Sequence, residues 1–419
     1  MRIISLAILF LLLSPLVYSQ HKRCSTMELR QQRILKNPAL RQSIENAEQL
    51  MQNPTRSAGS TAGVISIPVV VHVVWNLSVQ NISDAQIQSQ IKILNDDFRL
   101  LNKDSLKSNH PFWPFTSDTE IEFCLAKRDP NGNSTSGITR TQTSVVEWDD
   151  FNSDDLKYTS LGGKDNWDPT RYLNIYVANL QDGLLGFATF PDELSTNPEL
   201  DGVVIRPEAF GNTGTAGTNG YNANNLGRTA THEIGHWFFL YHIWGDEPCG
   251  NDFINDTPVA EAENYNCPSF PRNANNSCGA GANGEMYMNY MDYVDDNCMK
   301  MFTDGQKLRM RNAISQFRPG ILTSTACGTS IGINSDNVLH AFVIYPNPTS
   351  NSTSFTLDFN HTLPTRIIVS DVLGRDVLKL YEEIQDKMFI EKNKLNKGIY
   401  IVRVDFGNNN FVNQKLIVE

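Results

Sequence analysis

Residues Ile65 to Trp75 read Ile-Ser-Ile-Pro-Val-Val-Val-His-Val-Val-Trp, β-branched and nearly unbroken in apolar character. Such a run predicts a strand buried on both faces. The period then changes. Ser83-Asp84-Ala85-Gln86 has the form of a capping box, and Ile87, Ile91, Leu94, Phe98 and Leu101 follow at helical spacing. A helix with one core-facing stripe is expected. Further strands are expected near residues 120–126 and 172–177. Residues 184–191 are again apolar. They suit an edge strand that holds an extended peptide by strand addition, and an ordinary sheet strand fits the pattern equally well.

The two ends of the chain are patterned differently. The stretch 27–51 is polar and helix-permissive, and it runs into Asn53-Pro54-Thr55-Arg56-Ser57-Ala58-Gly59. That small, polar segment is a natural place for a proteolytic nick, so residues 20–56 read as a short prosegment. Composition shifts again after Phe317-Arg318-Pro319-Gly320. Residues 326–340 are small and polar and read as a linker. From 341 to 419 the pattern alternates, with strands expected at 354–359, 366–370, 397–404 and 411–418. These predict a small all-β sandwich without catalytic chemistry. The main domain is left as 57–325.

Composition narrows the setting. The chain has 419 residues, a net charge of −11 and no lysine- or arginine-rich block, so nucleic acid is not an expected partner. Arg2, the apolar run 3–13 and Val17-Tyr18-Ser19 read as a signal peptide over 1–19, and no segment is long enough for a stable membrane span. Export makes the seven cysteines readable as disulfides. Four of them, Cys249, Cys267, Cys278 and Cys298, bracket a stretch rich in Asn, Gly and Pro. Three connectivities are open, of which Cys249–Cys278 with Cys267–Cys298 is the one expected.

Three of the eight histidines, His232, His236 and His242, lie within eleven residues. His232 and His236 are four apart, so a helix points both imidazoles the same way. His242 completes a three-ligand zinc set with an open position, the catalytic arrangement. Glu233 sits where a carboxylate can take a proton from water activated by the metal. The helix must end between His236 and His242, because six residues of helix turn by roughly 600° and leave His242 about 120° off the ligand face. In the pattern H-E-x-x-H-x-x-G-x-x-H the bend falls on Gly. Here it falls on Phe239, so either the turn takes another form or Phe239 is strained and held by packing.

Downstream, Asn289-Tyr290-Met291-Asp292-Tyr293 resembles the Met-turn of metzincin peptidases. With His232 to Trp237, Leu240 to Asp246, Asp256-Thr257-Pro258 and Cys298 to Thr303, it makes residues 20–325 similar to the pappalysin family, in particular its bacterial ulilysin and mirolysin type. The resemblance implies an α+β fold: a twisted mixed sheet, two main helices and an irregular lower subdomain. It implies peptide-bond hydrolysis, with Met291 beneath the metal and Tyr293 beside it, where the hydroxyl could hold the oxyanion. It raises calcium in the oxygen-rich loop 245–257, with Asp252 and Asp256 as candidates. Asp295 and Asp296 fall where the S1′ wall forms, which would favour arginine after the scissile bond. Cleavage at Thr55/Arg56 by the enzyme itself would then be autoactivation.

The tail from Tyr345-Pro346-Asn347-Pro348, with Gly398-Ile399-Tyr400-Ile401-Val402 and Lys415-Leu416-Ile417-Val418, is similar to the sorting domain of the type IX secretion system. That implies a Bacteroidetes source, the type IX machinery as a partner, a secreted or cell-surface location and loss of the tail. Cys24, upstream of the nick, could supply a thiolate to the open zinc position and keep the zymogen silent. Its departure would leave an even six cysteines and pair Cys124 with Cys327. A disulfide from Cys24 to one of those two is the competing expectation. A catalytically silent zinc-bearing surface protein or adhesin is the competing function, favoured only by Phe239 and opposed by the intact Glu233.

Overall fold

The computed structural model describes residues 22–52, 63–149, 153–328, 342–349, 353–359, 363–372, 375–380, 384–405 and 411–419. The expected signal peptide, the Thr55/Arg56 bond and most of the expected linker lie outside the described residues. The chain divides into two compact units, 1–327 and 328–419. Among the described residues no helix is long and apolar enough to cross a membrane.

The first unit is built on a six-stranded sheet of β1 (Ile65–Trp75), β2 (Ile121–Leu125), β3 (Ile138–Gln142), β4 (Leu173–Val177), β5 (Gly186–Ala188) and β6 (Val203–Ile205). The order is β2-β1-β4-β6-β5, with β3 pairing the far half of β1. All pairings are parallel except that of β5, which runs antiparallel to β6 at the edge. Ile65, Ile67, Val69, Val71 and Val73 fill the main core, while Val70 and Val74 enter separate clusters on the opposite face. Burial on both faces is the reason β1 reads as continuous rather than alternating.

Helix α3 (Asp84–Phe98) starts as its sequence requires, with Ser83 Oγ accepting from the Gln86 amide at 3.2 Å. Ile87, Leu94 and Phe98 are buried in the main core, beside α4 (Arg228–Trp237). Leu101 departs from the expected stripe. The helix ends at Phe98, and Leu101 lies beyond it, 66% exposed. Residues ahead of the sheet form two helices, α1 (Thr26–Lys36) and α2 (Ala39–Gln52). Leu29 of α1 packs in the cluster around Val74 and Tyr176. Helix α5 (Asp304–Phe317) closes the unit, capped by Thr303 and Gln306.

Between α4 and α5 the chain is largely irregular and stapled. The structure pairs Cys249 with Cys278 and Cys267 with Cys298, and joins Cys124 of β2 to Cys327. Cys24 is free and buried. The second unit has two antiparallel sheets. One comprises β9 (Arg366–Asp371), β10 (Asp376–Leu380), β12 (Gly398–Asp405) and β13 (Phe411–Val418). The other comprises β7 (Phe342–Tyr345), β8 (Ser354–Phe359) and β11 (Lys387–Glu391). Phe355, Leu357, Val369, Val402 and Leu416 share its core.

Candidate active site

Helix α4 carries Thr231, His232, Glu233 and His236, all buried. Its start is fixed by Asp296, whose Oδ2 accepts from the amides of Leu226 (2.9 Å) and Arg228 (3.2 Å). Its flank is tied to α3 through Asp97, which accepts from Thr231 Oγ1 and the Tyr290 hydroxyl, both at 2.8 Å. Met291 lies beneath it. A Cβ built on Gly235 would fall 2.4 Å from the Met291 sulfur, so only glycine lets that methionine approach the helix so closely.

The helix ends in a Schellman arrangement. The Leu240 amide donates to Gly235 O at 2.9 Å and the Phe239 amide to His236 O at 2.8 Å. Phe239 stands at the left-handed position with φ +75°. The turn therefore takes the expected form with a residue that pays about 1–2 kcal/mol in sterics to adopt it. Packing holds it there. Phe239 is fully buried with Ala47 and Met51 of α2, Phe190 and Ala313. The Arg309 guanidinium lies 4.7 Å from its ring centroid, and Arg309 Nε donates to its carbonyl at 2.7 Å.

Beyond the bend the three histidines converge. His242 Nε2 lies 3.2 Å from His232 Nε2 and 3.1 Å from His236 Nε2. Each Nδ1 has its own partner: Tyr290 O for His232 and Leu240 O for His236, both at 2.7 Å, and the Asp246 carboxylate for His242. Those partners accept the Nδ1 protons and leave the three Nε2 lone pairs facing one point. Burial holds the His232 pKa down at about 3 and pushes that of His236 down as well, so both are neutral. The Trp244 indole stacks on His242 with centroids 4.3 Å apart, and the Tyr293 ring meets His242 edge-on at 4.9 Å. Three Nε2 atoms brought together in this way fit a cation.

Cys24 joins this group. Its ligand atom and those of the three histidines all lie within 4.8 Å of one another, the one such metal-ligating cluster among the described residues. The Cys24 thiol also donates to Glu233 Oε2 at 3.4 Å, beside Thr26 Oγ1 at 2.9 Å. Burial pushes the Glu233 carboxyl up to about 8, against the lowering effect of those two hydrogen bonds. Glu233 Oε1 is buried without a partner. Residues 22–25 line the sheet edge in parallel: the Leu185 amide donates to Lys22 O at 3.0 Å and the Ser25 amide to Gly186 O at 3.3 Å. The strand expected to hold a peptide thus pairs with the chain's own amino-terminal segment.

The two carboxylates expected in the S1′ wall divide their work. Asp295 pairs with Arg23 at 2.6 Å. Asp296 caps α4 with one oxygen, while its Oδ1 is buried without a partner beside the same small cavity, lined by Arg23, His232 and Tyr293. Asp252 and Asp256 are not drawn together around a cation. Asp252 accepts from the Ile254 amide and Thr257 Oγ1, and Asp256 from Thr303 Oγ1 and the Gly305 amide. These carboxylates staple the loop to itself and to the start of α5, which does not fit a calcium centre built on the pair. Sequence reasoning assigned no role to Asp246, Trp244, Gly235, Thr26 or Asp97. Asp246, four residues after His242, was the one with a readable signal.

Comparisons with known proteins agree with this geometry. Residues 158–315 match the M43 peptidase family, described as pregnancy-associated plasma protein-A, and residues 343–419 match a secretion system C-terminal sorting domain. An extracellular metalloprotease of Pyricularia oryzae is 30% identical over 64% of this chain and 81% of its own length. One from Arthroderma benhamiae is 32% identical over 63% and 82%. Among solved structures, a mutant of Tannerella forsythia promirolysin is 47% identical, covering 72% of this chain and 96% of that one, with a TM-score of 0.64. Mature mirolysin in complex with a cleaved peptide is 50% identical, covering 63% and 96%, with a TM-score of 0.58. The chain belongs to the M43, or pappalysin, family of metallopeptidases and carries a type IX sorting domain that marks it for secretion or the cell surface.

Proposed function

We propose that the protein is a secreted zinc endopeptidase and that the arrangement around Cys24 is its latent form. The observation that carries this is the convergence of three Nε2 atoms at 3.1–3.2 Å, each Nδ1 already committed elsewhere. His232, His236 and His242 would hold zinc, which supplies Lewis acidity toward the scissile carbonyl and water. Glu233, raised in pKa by burial and adjacent to the ligands, takes the proton of the attacking water and passes it to the leaving amine. Tyr293 would hold the oxyanion, a reading supported by its edge-on packing against His242. Edge strand β5 orients the peptide, as it now orients residues 22–25.

Latency follows from the same contacts. Cys24 would fill the open zinc position as a thiolate, because a bound cation reverses the upward push that burial and Glu233 exert on the thiol. Thr26 hydrogen-bonds Glu233 and keeps the base from water. Arg23 on Asp295 supports an S1′ pocket that favours arginine, with cleavage at Thr55/Arg56 as autoactivation. The wider reach of the match to promirolysin, 72% of this chain against 63% for mature mirolysin, is in keeping with a prosegment ahead of the catalytic domain. The test is casein or gelatin cleavage by the trimmed enzyme, with and without phenanthroline, alongside Glu233→Ala. Chelator-sensitive cleavage that Glu233→Ala abolishes with zinc still bound is expected. Undiminished turnover in that variant sinks the mechanism. No cleavage by zinc-loaded, trimmed wild type would favour the silent surface protein.

A further inference from the structure

Arg30, on α1, occupies a site that the chemistry above leaves unused. Its guanidinium lies 4.1 Å from the Phe190 ring centroid and 5.9 Å from that of Tyr241. It forms an ion pair with Asp192 Oδ2, and both side chains are almost wholly buried. Asp192 Oδ1 and Arg30 Nη1 have no hydrogen-bond partner. An aromatic face, a second ring and a buried carboxylate make a box suited to a planar cation. All three walls belong to the catalytic body, and only the occupant belongs to the prosegment.

The box adjoins the metal site. The Phe190 and His236 ring centroids are 5.4 Å apart, and Phe190 and Asp192 follow two and four residues after the end of β5. Arg23 and Arg30 lie on opposite sides of Cys24 in the chain. Arg23 reaches the cavity at His232 and Tyr293, whereas Arg30 reaches the His236 side. Once the prosegment leaves, Asp192 loses Arg30, the cation that pairs with it, and its carboxylate is left beside the Phe190 and Tyr241 rings. Even with Arg30 present, burial pushes the Asp192 carboxyl up to about 6. A carboxylate beside two aromatic faces attracts a new planar cation to the place that Arg30 vacates.

We propose that Phe190, Tyr241 and Asp192 form a second cationic subsite of the mature peptidase, taking an arginine side chain of the substrate on the side of the scissile bond opposite the Asp295 pocket. The proposal rests on the peptidase reading above and adds to it a preference on the unprimed side. Arginine is favoured over lysine there, because the guanidinium stacks on the Phe190 face as well as pairing with Asp192.

The test uses the zinc-loaded protein after its prosegment has been removed. A fluorogenic peptide series keeps arginine after the scissile bond and places arginine, citrulline or norleucine at each of four unprimed positions in turn. The expected result is one unprimed position at which arginine exceeds citrulline by about tenfold in kcat/KM, the worth of one buried charge-assisted contact. Asp192→Asn should bring that ratio near one. Equal rates for arginine and citrulline at all four positions overturn the proposal without needing any variant. A ratio that Asp192→Asn leaves intact overturns the assignment to this box. Repeating the series with norleucine after the scissile bond separates the two pockets. Unchanged turnover there, with the unprimed preference kept, refutes the Asp295 pocket alone and supports this one. Absence of cleavage in every peptide refutes both.

Discussion

Replacing Phe239 with glycine separates the two energies that meet at the bend of the metal site. Glycine removes the steric cost of φ +75°, a gain of about 1–2 kcal/mol. It also deletes a fully buried ring packed with Ala47, Met51, Phe190 and Ala313 under the Arg309 guanidinium. Loss of such a ring costs about 3–5 kcal/mol. The net expectation for the latent protein is a destabilisation of about 1–4 kcal/mol, or roughly 2–8 °C in Tm for a domain of this size. In the trimmed enzyme Ala47 and Met51 depart and Glu48 releases Arg309, so the ring is partly uncovered and the penalty shrinks. Thermal or urea unfolding of both forms, zinc-loaded and with disulfides intact, measures the difference. Bound zinc should stay at one per chain, since the Schellman hydrogen bonds use backbone atoms only. A latent Phe239→Gly protein as stable as wild type would refute the claim that packing holds the strained turn.

Other expectations follow from the same contacts. Cys24→Ala should raise the activity of the untrimmed chain by freeing the metal and loosening residues 22–26 from β5, while Arg33–Glu193 and Glu48–Arg309 still hold the helices α1 and α2; a variant as latent as wild type in a peptide assay rejects the thiol switch. Gly235→Ala should push Met291 out of place and lower both zinc content and Tm, and a variant of unchanged Tm would show the methionine to be free to move. Asp104 is raised by burial but held below the usual carboxylate range overall by Arg228 and Lys300. Its folded pKa is depressed, so its contribution is present above about pH 4 and is lost as pH falls. Asp104→Asn should therefore flatten the acid limb of stability against pH, and an unchanged limb contradicts that role.

Much of the site was legible because its signals are local. His232, Glu233 and His236 share one helix, and the bend before His242 follows from counting residues. Strand β1 announced itself by its run of β-branched residues and β8 by its alternation of apolar and polar positions. What the sequence hid depends on distance. Nothing local says that Asp97 will accept from Thr231 and Tyr290, residues 134 and 193 positions away, or that Arg30 will find Asp192 across 162. The split between Asp295 and Asp296 was also unreadable, since adjacent carboxylates differ only in which one the start of α4 recruits. Strands β10 and β11 are short and largely exposed, so their hydrophobic pattern is too sparse to mark them. Phe239 was flagged correctly as a left-handed candidate, but the residues that hold it come from α2 and α5.

The most direct test is X-ray absorption at the zinc edge on the intact chain and on the same protein after its prosegment is trimmed away. The account predicts three nitrogen ligands and one sulfur at about 2.3 Å in the intact chain. Trimming should leave nitrogen and oxygen ligands alone, with peptidase activity appearing in step. An intact chain without sulfur at the metal, or a sulfur that survives trimming, would contradict it.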